Sequence, residues 1–413
     1  MQNKKILIVT HQFLPHVSPR TTRWKMIVDD LIHRDNQVTI LTGSPPDESV
    51  NEYEILYFGN KNISSTISSI RKDANNSDKN SSLKQLIYNL LKKVYRFLFK
   101  SFAWPDYAMF WAFTIYKNKH RIPRDYDYIF SVSLPFTSHL CASILNKHAT
   151  DWIMDIGDPF SLKKDSPENN KLFYSFINTQ FEKKFYSKSK RIIFTHNESL
   201  LLHRDKFNLD PNKLIVGHPI SKIDYDKISE SQKYNYSSLP INIGYFGIFT
   251  EGIRLPNNYL NSIGKNLSQD FHHNWFINDE SRKYFSSYLD NKNHKFNNII
   301  PRNEAIELMV NEMHILLSIG NMNVYQLPSK VIEYIGLGKP VLHFAELPDD
   351  PMYKFENLFS NLKVISQKTD EKEIQAFLDI FKLQKYNFDI ENFEYNFSSK
   401  KIIENLNSSL HNK

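Results

Sequence analysis

The sequence of 413 residues has a single cysteine, few glycines and no long apolar run. The one cysteine, Cys141, excludes an internal disulfide and indicates a reducing compartment, and its apolar neighbours predict a buried structural thiol. Because there are only 11 glycines, any glycine-rich phosphate loop has to be sparse. No apolar run reaches the roughly 18 residues of a membrane span, and the run 6–9 is too short for a secretory signal. We therefore expect a cytoplasmic protein.

The overall composition is that of a globular protein with two domains. Its 41% hydrophobic and 23% charged residues are ordinary for a soluble protein, and 413 residues exceed one typical core. The formal net charge of +7 suits anionic partners, such as a phosphorylated substrate or an anionic membrane. No nucleic-acid-binding motif accompanies that charge, so we expect no nucleic-acid partner.

Strand-like and helix-like segments alternate along the chain in the pattern of an α/β fold. The strand-like run 5–9, the helical periodicity of 20–32 and the strand-like run 37–41 form one βαβ unit, which implies a parallel sheet. The pattern restarts at 241–247. We therefore predict two Rossmann-like, doubly wound parallel-sheet domains facing across a cleft, where ligands usually bind. The predicted limits are an N-terminal domain 1–220, a linker 221–239, a C-terminal domain 240–390 and a helix 391–413 that returns to the N-terminal domain.

The segment 328–340 carries the strongest chemical signal of the chain. Pro328 suits a helix start, Ser329 is placed to cap it, and the free N–H groups of such a start attract a diphosphate. Glu333 lies about one turn further on, where its carboxylate can accept hydrogen bonds from two ribose hydroxyls. The residues alone leave a second interpretation open, in which Glu333 only stabilises the first turn through the helix dipole.

This segment resembles the donor-site segment of the GT-B glycosyltransferases, in particular of the retaining glycosyltransferase family 4. Other stretches are similar to that family in the same order along the chain, namely 6–15, 20–24, 37–43, 244–247 and 302–318. The resemblance implies the GT-B fold, with an acceptor domain followed by a donor domain that binds a nucleotide sugar. It also implies that Glu333 holds the donor ribose and that the start of the helix, Ser329 and Lys330, contacts the diphosphate.

Two departures from the family pattern fall in the donor half. The first glutamate of the family's Glu-x7-Glu pattern corresponds to Tyr325, so Gln326 or nearby backbone groups are expected to contact the sugar instead. The loop that begins at Gly247, in the turn that opens the donor domain, has isoleucine where the family often has arginine and lysine. Arg254 is the cation that remains in this loop, and we predict that it neutralises the leaving diphosphate. The alternative is a solvated surface arginine.

The N-terminal half offers candidates for the acceptor side. Asp155 and Asp158 follow a predicted strand in a segment that resembles the Asp-x-x-Asp-Pro of one branch of the family, and we expect one of them to position the acceptor hydroxyl or act as a base. The alternative for Asp158 is to cap the next turn. The first loop lacks the family's Gly-Gly pair, so Ser18, Arg20 and Arg23 are candidates to replace its phosphate contacts, with Arg23 alternatively a solvated helix residue.

The stretch 83–104 has leucine, isoleucine, valine and phenylalanine on one helical face and only basic charges elsewhere. A basic amphipathic helix of this kind is typical of an element that lies on a membrane surface. The alternative is a packed helix with a solvated basic face.

The resemblance implies a hexosyltransferase-type glycosyltransferase, retaining and independent of metal, with no cofactor besides its nucleotide-sugar co-substrate. The expected acceptor is a glycan or a lipid-linked glycan in the biosynthesis of a bacterial cell-surface polysaccharide, such as O-antigen or capsule. The protein is expected in the cytoplasm, peripheral at the inner membrane through 83–104. The rival hypotheses are a nucleotide-sugar epimerase on the same fold and a non-catalytic scaffold that has lost donor binding.

Overall fold

The computed structural model describes residues 1–16, 18–46, 52–59, 100–146, 150–163, 167–383 and 388–411. The chain divides into two compact units. The first unit comprises Met1–Gly217 together with Ile402–Lys413, and the second unit comprises His218–Lys401.

The first unit is built on a parallel sheet of seven strands in the order β3-β2-β1-β4-β5-β6-β7. Most of its strands are short apolar runs that are buried along most of their length, as expected when helices cover both faces of a parallel sheet. They are β1 Lys5–Val9, β2 Gln37–Thr42, β3 Glu54–Tyr57, β4 Tyr128–Val132, β5 Asp151–Ile156, β6 Arg191–Phe194 and β7 Leu214–Val216. The described helices of this unit are Pro19–His33, Met109–Asn118, Thr137–Leu145, Lys171–Lys188 and Asn197–Phe207.

The second unit repeats this plan with a parallel sheet of six strands in the order β10-β9-β8-β11-β12-β13. The strands are β8 Ile241–Phe246, β9 Phe271–Phe276, β10 His294–Asn297, β11 Ile315–Ile319, β12 Val341–Phe344 and β13 Leu362–Ile365. Its helices include Tyr225–Lys233, Arg302–Asn311, Ser329–Gly336, Met352–Glu356, Glu371–Lys382 and Ile390–Phe397, and the C-terminal helix Ser399–His411 begins in it.

Both sheets are doubly wound, so the predicted class of two Rossmann-like parallel-sheet domains is confirmed. The strand order reverses between β1 and β4 in the first sheet and between β8 and β11 in the second. Helices therefore leave in opposite directions at these points and open a crevice at the carboxyl ends of the strands, where ligands of such sheets bind.

The predicted linker 221–239 contains the helix Tyr225–Lys233. Ile228 of that helix is buried in the core of the second unit, beside the helix Arg302–Asn311. The polar composition of this stretch thus reflects a helix with one buried face. At the other end of the chain, residues from Ile402 onward belong to the first unit.

Cys141 is fully buried in the core of the first unit, as predicted from its apolar neighbours. Burial raises the pKa of its thiol well above the ordinary range, which disfavours the reactive thiolate. Within the part of the chain that the structure describes, no helix is both long and apolar enough to cross a membrane. The predicted membrane-surface stretch 83–104 lies outside the described residues except for 100–104.

Candidate functional site

The helix Ser329–Gly336 starts at the crevice of the second sheet, after the loop that follows β11. Pro328 occupies the position before its first residue, and no side chain caps this end, so Ser329 is the first helical residue and not the cap. Apolar side chains face inward from one side of the helix, and Gly338 ends it with φ +68°, a conformation that favours glycine. The N–H of Val331 donates to the carbonyl oxygen of Pro328 at 3.2 Å, whereas those of Ser329 and Lys330 are not capped by a side chain and remain available to an anionic ligand.

The turn after β8 is tied to this helix through one carbonyl oxygen. The Lys330 ammonium and the Tyr334 hydroxyl both donate to the carbonyl oxygen of Phe246, Tyr334 at 3.2 Å. A Cβ on Gly247 would lie 3.1 Å from Nζ of Lys330, so the missing side chain leaves room for the ammonium group. Burial of the ammonium end and the nearby charge of Arg254 lower the pKa of Lys330, whereas Glu333 raises it.

Arg254 is held by the loop that follows β11. Its Nε and Nη2 donate to Oδ1 of Asn321 at 3.2 and 2.7 Å. The Asn321 amide in turn donates to the carbonyl oxygen of Gln326 at 2.8 Å, and the backbone N–H of Met322 donates to Ile253 at 2.7 Å. Arg254 is therefore a half-buried, oriented cation and not a freely solvated one, and its charge acts on Lys330.

The remaining donor-side candidates occupy the same loop and helix. Tyr325 is 9% exposed, and the Gln326 side chain accepts a hydrogen bond from Asn323 at 3.2 Å. Glu333 forms an ion pair with Arg302, whose side chain is 68% exposed, while that of Glu333 is 24% exposed. The Glu333 carboxylate thus remains reachable from solvent, and a ligand hydroxyl would compete there with an exposed arginine.

The structure thus brings Gly247, Arg254, Lys330 and Glu333 together around the start of one helix. Two cationic side chains and a helix N-terminus are chemically suited to a diphosphate, and a carboxylate about one turn away is suited to hydroxyl groups. Among the described residues, no group of three or more His, Cys, Asp or Glu side chains is arranged to hold a metal ion.

A buried chain of polar side chains beneath this loop was not predicted. The Ser318 hydroxyl lies 3.0 Å from Nδ1 of His343, and Nε2 of His343 lies 3.2 Å from Oδ2 of Asp350. Their order is that of a hydrolase triad, but all three residues are at most 5% exposed, so no substrate reaches them. A Cβ on Gly320 would lie 2.6 Å from Asp350. The three polar side chains therefore pack directly against the turn that leads to Asn321. The available sequence signal was the histidine inside the apolar strand β12.

In the first unit, Asp155 is enclosed. It is 0% exposed, its carboxylate pairs with Arg20 at 2.9 Å and with Arg23 at 3.6 Å, and it accepts a hydrogen bond from the Trp24 indole. Burial raises the pKa of Asp155, but the two guanidinium groups and the indole outweigh it and hold the pKa below its usual range. A carboxylate closed off in this way cannot meet an acceptor hydroxyl, so we do not retain Asp155 as a candidate base.

The arginines around it join the ends of three elements. Arg20, at the start of the helix Pro19–His33, donates to the carbonyl oxygens of Ser133 at 2.6 Å and of Asp155 at 3.2 Å. A Cβ on Gly157 would lie 2.7 Å from Cζ of Arg20, so any side chain there would displace the guanidinium group. Arg23 is 4% exposed and is not the solvated helix residue of the alternative interpretation.

Ser18 and Asp158 differ in accessibility and task. The Ser18 hydroxyl caps the helix Pro19–His33 by accepting a hydrogen bond from the backbone of Thr21 at 3.1 Å. The Asp158 side chain is 28% exposed and lies 3.7 Å from Nζ of Lys163. Asp158 is thus the more accessible carboxylate of the predicted pair.

Comparison with known proteins adds a fold relationship. No protein-family profile matches the chain, and no curated protein matches it in sequence. A glycosyltransferase from Rickettsia africae is similar in structure at 13% identity and a TM-score of 0.60, with 100% of each chain covered. The lipopolysaccharide outer core galactosyltransferase WaaB is similar at 9% identity and a TM-score of 0.58, with 98% of this chain and 99% of that chain covered.

An epimerase shares the arrangement as well. The UDP-GlcNAc 2-epimerase from Methanocaldococcus jannaschii is similar at 12% identity and a TM-score of 0.50, with 98% of this chain and 99% of that chain covered. At these identities the likeness establishes the fold, which is that of the GT-B glycosyltransferases and is shared by this epimerase.

Proposed function

We propose that this protein is a retaining, metal-independent glycosyltransferase, similar to family 4, that transfers a hexosyl group from a nucleotide sugar to a glycan or lipid-linked acceptor. The observation that carries the proposal is the cluster of Arg254, Lys330 and Glu333 around the open start of the helix Ser329–Gly336. Cations and a helix N-terminus meet a diphosphate there, and Glu333 is placed for the ribose hydroxyls.

In this reaction the main task of the protein is to stabilise the leaving diphosphate. The bond between the anomeric carbon and the diphosphate oxygen breaks, the acceptor oxygen bonds to that carbon, and the acceptor proton leaves to a base. Negative charge then grows on the diphosphate, where Arg254 and Lys330 stabilise it. Because Asn321 already orients Arg254, little reorganisation is needed as that charge develops.

For the acceptor side, Asp158 is the candidate that retains access to solvent. The named activity of WaaB, in the lipopolysaccharide outer core, supports a role in cell-surface polysaccharide biosynthesis. We accordingly place the protein in the cytoplasm, at the inner face of the membrane.

The test is a panel of nucleotides and nucleotide sugars read by thermal shift, followed by product mass with candidate acceptors. A nucleotide that binds the folded state raises the melting temperature. We expect Glu333→Ala to lose the shift and the exposed Glu304→Ala to keep it. If no nucleotide or nucleotide sugar shifts the melting temperature of the wild type, the donor site is refuted and the scaffold hypothesis is favoured.

The second candidate is a nucleotide-sugar epimerase, which the Methanocaldococcus jannaschii structure favours. The two activities separate when the donor is supplied without an acceptor. An epimerase isomerises or releases the sugar under these conditions, whereas a transferase leaves the donor almost unchanged. Nuclear magnetic resonance of the sugar after overnight incubation distinguishes the outcomes.

A further inference from the structure

The first unit exposes an unusual set of large apolar side chains. Phe102, Leu172, Phe173 and Phe176 are 76%, 88%, 62% and 74% exposed, and we refer to these four residues as the apolar patch. Single exposed apolar residues are common, but a contiguous group on one surface marks an interaction site.

The patch is one surface because two segments are bonded together beneath it. The backbone N–H of Asn170 donates to Lys100 at 2.8 Å, and its side chain donates to the Ser101 hydroxyl at 2.8 Å. The Tyr174 hydroxyl donates to the Ser101 carbonyl oxygen at 2.8 Å, and the Trp104 ring packs on Phe181 at 4.6 Å. Phe102 is therefore fixed beside the first turns of the helix Lys171–Lys188.

The helix Lys171–Lys188 has one buried face and one exposed apolar face. Asn178, Glu182 and Phe185 are buried, whereas Leu172, Phe173 and Phe176 lie on the opposite side at spacings of three and four residues. The exposed apolar face thus belongs to a helix whose other face is already packed in the unit.

The exposed charges of these two segments have one sign. Within 100–122 and 171–188 the carboxylates are Asp106 and Glu182, and both are 0% exposed. Asp106 accepts hydrogen bonds from the backbone of Ala108 and Thr137, and Glu182 accepts one from the Tyr186 hydroxyl at 2.7 Å. Every exposed charged side chain in these segments is therefore basic, Lys183 and Lys184 among them.

The helix Met109–Asn118 also exposes large aromatic side chains beside a lysine. Phe110, Phe113 and Tyr116 are 55%, 57% and 55% exposed, and Nζ of Lys117 lies 4.4 Å from the centre of the Phe113 ring. Aromatic rings with a lysine beside them suit the boundary between headgroups and acyl chains, because the ring enters the apolar layer while the ammonium stays among phosphates.

We propose that the apolar patch inserts into an anionic lipid bilayer, with phosphate headgroups bound by the lysines around it. An apolar face whose exposed charged side chains within 100–122 and 171–188 are all basic matches a negatively charged membrane in both composition and sign. This inference names the surface and lipid chemistry behind the membrane location in the proposed function, on which it rests, but it does not involve the donor site.

The experiment is flotation of the full chain with vesicles of phosphatidylcholine alone and of phosphatidylcholine mixed with phosphatidylglycerol. We expect binding to the mixed vesicles that weakens as salt is raised. The triple variant Phe102→Ser, Phe173→Ser, Phe176→Ser should lower the partition coefficient on the order of a hundredfold. The pair Lys183→Gln, Lys184→Gln should lower it on the mixed vesicles more than on the neutral ones.

The matched control is Leu239→Ser, Leu289→Ser, Leu383→Ser, which removes three leucines of the second unit that are 66%, 52% and 62% exposed. This control should bind vesicles as the wild type does. Absence of wild-type binding, or equal binding by the triple variant, overturns the proposal. So does light scattering that shows a wild-type dimer and a monomeric triple variant, because a second copy would then cover the patch. Nucleotide thermal shifts on the same variants separate failure of the patch from failure of the donor site.

Discussion

Two nitrogens of Arg254, Nε and Nη2, donate to the same oxygen atom, Oδ1 of Asn321. A single acceptor so placed fixes the plane of the guanidinium group, because both hydrogen bonds lie in that plane. Asn321 is 6% exposed and is itself anchored to the carbonyl oxygen of Gln326, so the arrangement is rigid.

We therefore expect Arg254→Ala to lower kcat by about two to three orders of magnitude, the usual effect of losing one group that stabilises developing charge. Asn321→Ala should lower kcat by about tenfold or more while KM for the donor changes less, because the cation remains but loses its orientation. Steady-state kinetics measures both. An Asn321→Ala enzyme with unchanged kcat would show that the orientation of Arg254 is irrelevant.

The ion pair between Arg302 and Glu333 should matter little for stability. The Arg302 side chain is 68% exposed, and exposed pairs contribute about 0 to 1 kcal/mol. Arg302→Gln is therefore expected to leave the melting temperature almost unchanged and to keep or strengthen the nucleotide-induced shift, because it frees the Glu333 carboxylate. Loss of that shift in Arg302→Gln would instead make Arg302 part of the donor site.

The burial of Lys339 should make the stability of the protein depend on pH. It is 0% exposed, its Nζ donates to Val310 at 2.9 Å and lies 3.5 Å from the centre of the Tyr234 ring, and burial lowers its pKa to about 6. The unfolded chain holds this proton up to the ordinary lysine pKa, so it binds more protons than the folded chain between the two values. The free energy of unfolding should therefore rise with pH from about 6 to about 10.

Lys339→Met should remove this contribution, which changes the slope by up to about 1.4 kcal/mol per pH unit. Urea unfolding at several pH values within the window measures the slope. The exposed Lys265→Met is the matched control and should keep the wild-type slope. Equal slopes in the two variants would contradict a buried neutral lysine.

Substitution of Asp155 should affect mainly stability, whereas substitution of Asp158 should affect mainly activity. Asp155→Asn leaves Arg20 and Arg23 without their carboxylate and is expected to cost about 3 to 5 kcal/mol of unfolding free energy. Because the folded pKa of Asp155 is lowered, its stabilisation is present above the unfolded pKa of about 3.9 and is lost as pH falls through the folded value. Acid unfolding of Asp155→Asn should therefore depend less on pH than that of the wild type.

Asp158→Asn should unfold like the wild type, because its carboxylate is partly exposed. If Asp158 serves the acceptor, the variant loses rate only when an acceptor is present and keeps the nucleotide thermal shift. A variant with full transfer activity would exclude Asp158 as base or positioning residue.

The sequence predicts the elements whose pattern is local. The apolar runs of β1, β2 and β8 indicate strands, and the segment from Pro328 to Pro340 indicates the helix of the candidate donor site. The strand β9 was missed because its histidines interrupt the apolar run. The fold satisfies His273 through a hydrogen bond of 2.7 Å with the Tyr259 hydroxyl. The apolar pair Ile299 and Ile300 predicts a strand at 298–300, and this prediction is wrong, because the strand is His294–Asn297 and ends just before it.

The site is harder to predict where partners are distant in sequence. Arg254 and Asn321 are 67 positions apart, and Arg20 and the Asp155 carbonyl that it contacts are 135 apart. No local pattern reports that one asparagine orients a cation or that one carboxylate is closed off by two arginines. Residue type predicted which groups carry charge, and the three-dimensional fold decides which of them meet a ligand.

The carbonyl oxygen of Phe246 accepts from both Lys330 and Tyr334, which are four residues apart on the same helix. A shift of that helix by one residue would break both hydrogen bonds. The end of β8 therefore fixes the position of the helix along its axis. The proposed phosphate site is thus ordered in the absence of a ligand, so we expect binding to cost little free energy for ordering it. We expect association with a nucleotide to follow a single phase whose rate rises linearly with concentration, without the plateau that a slow rearrangement of the seat imposes.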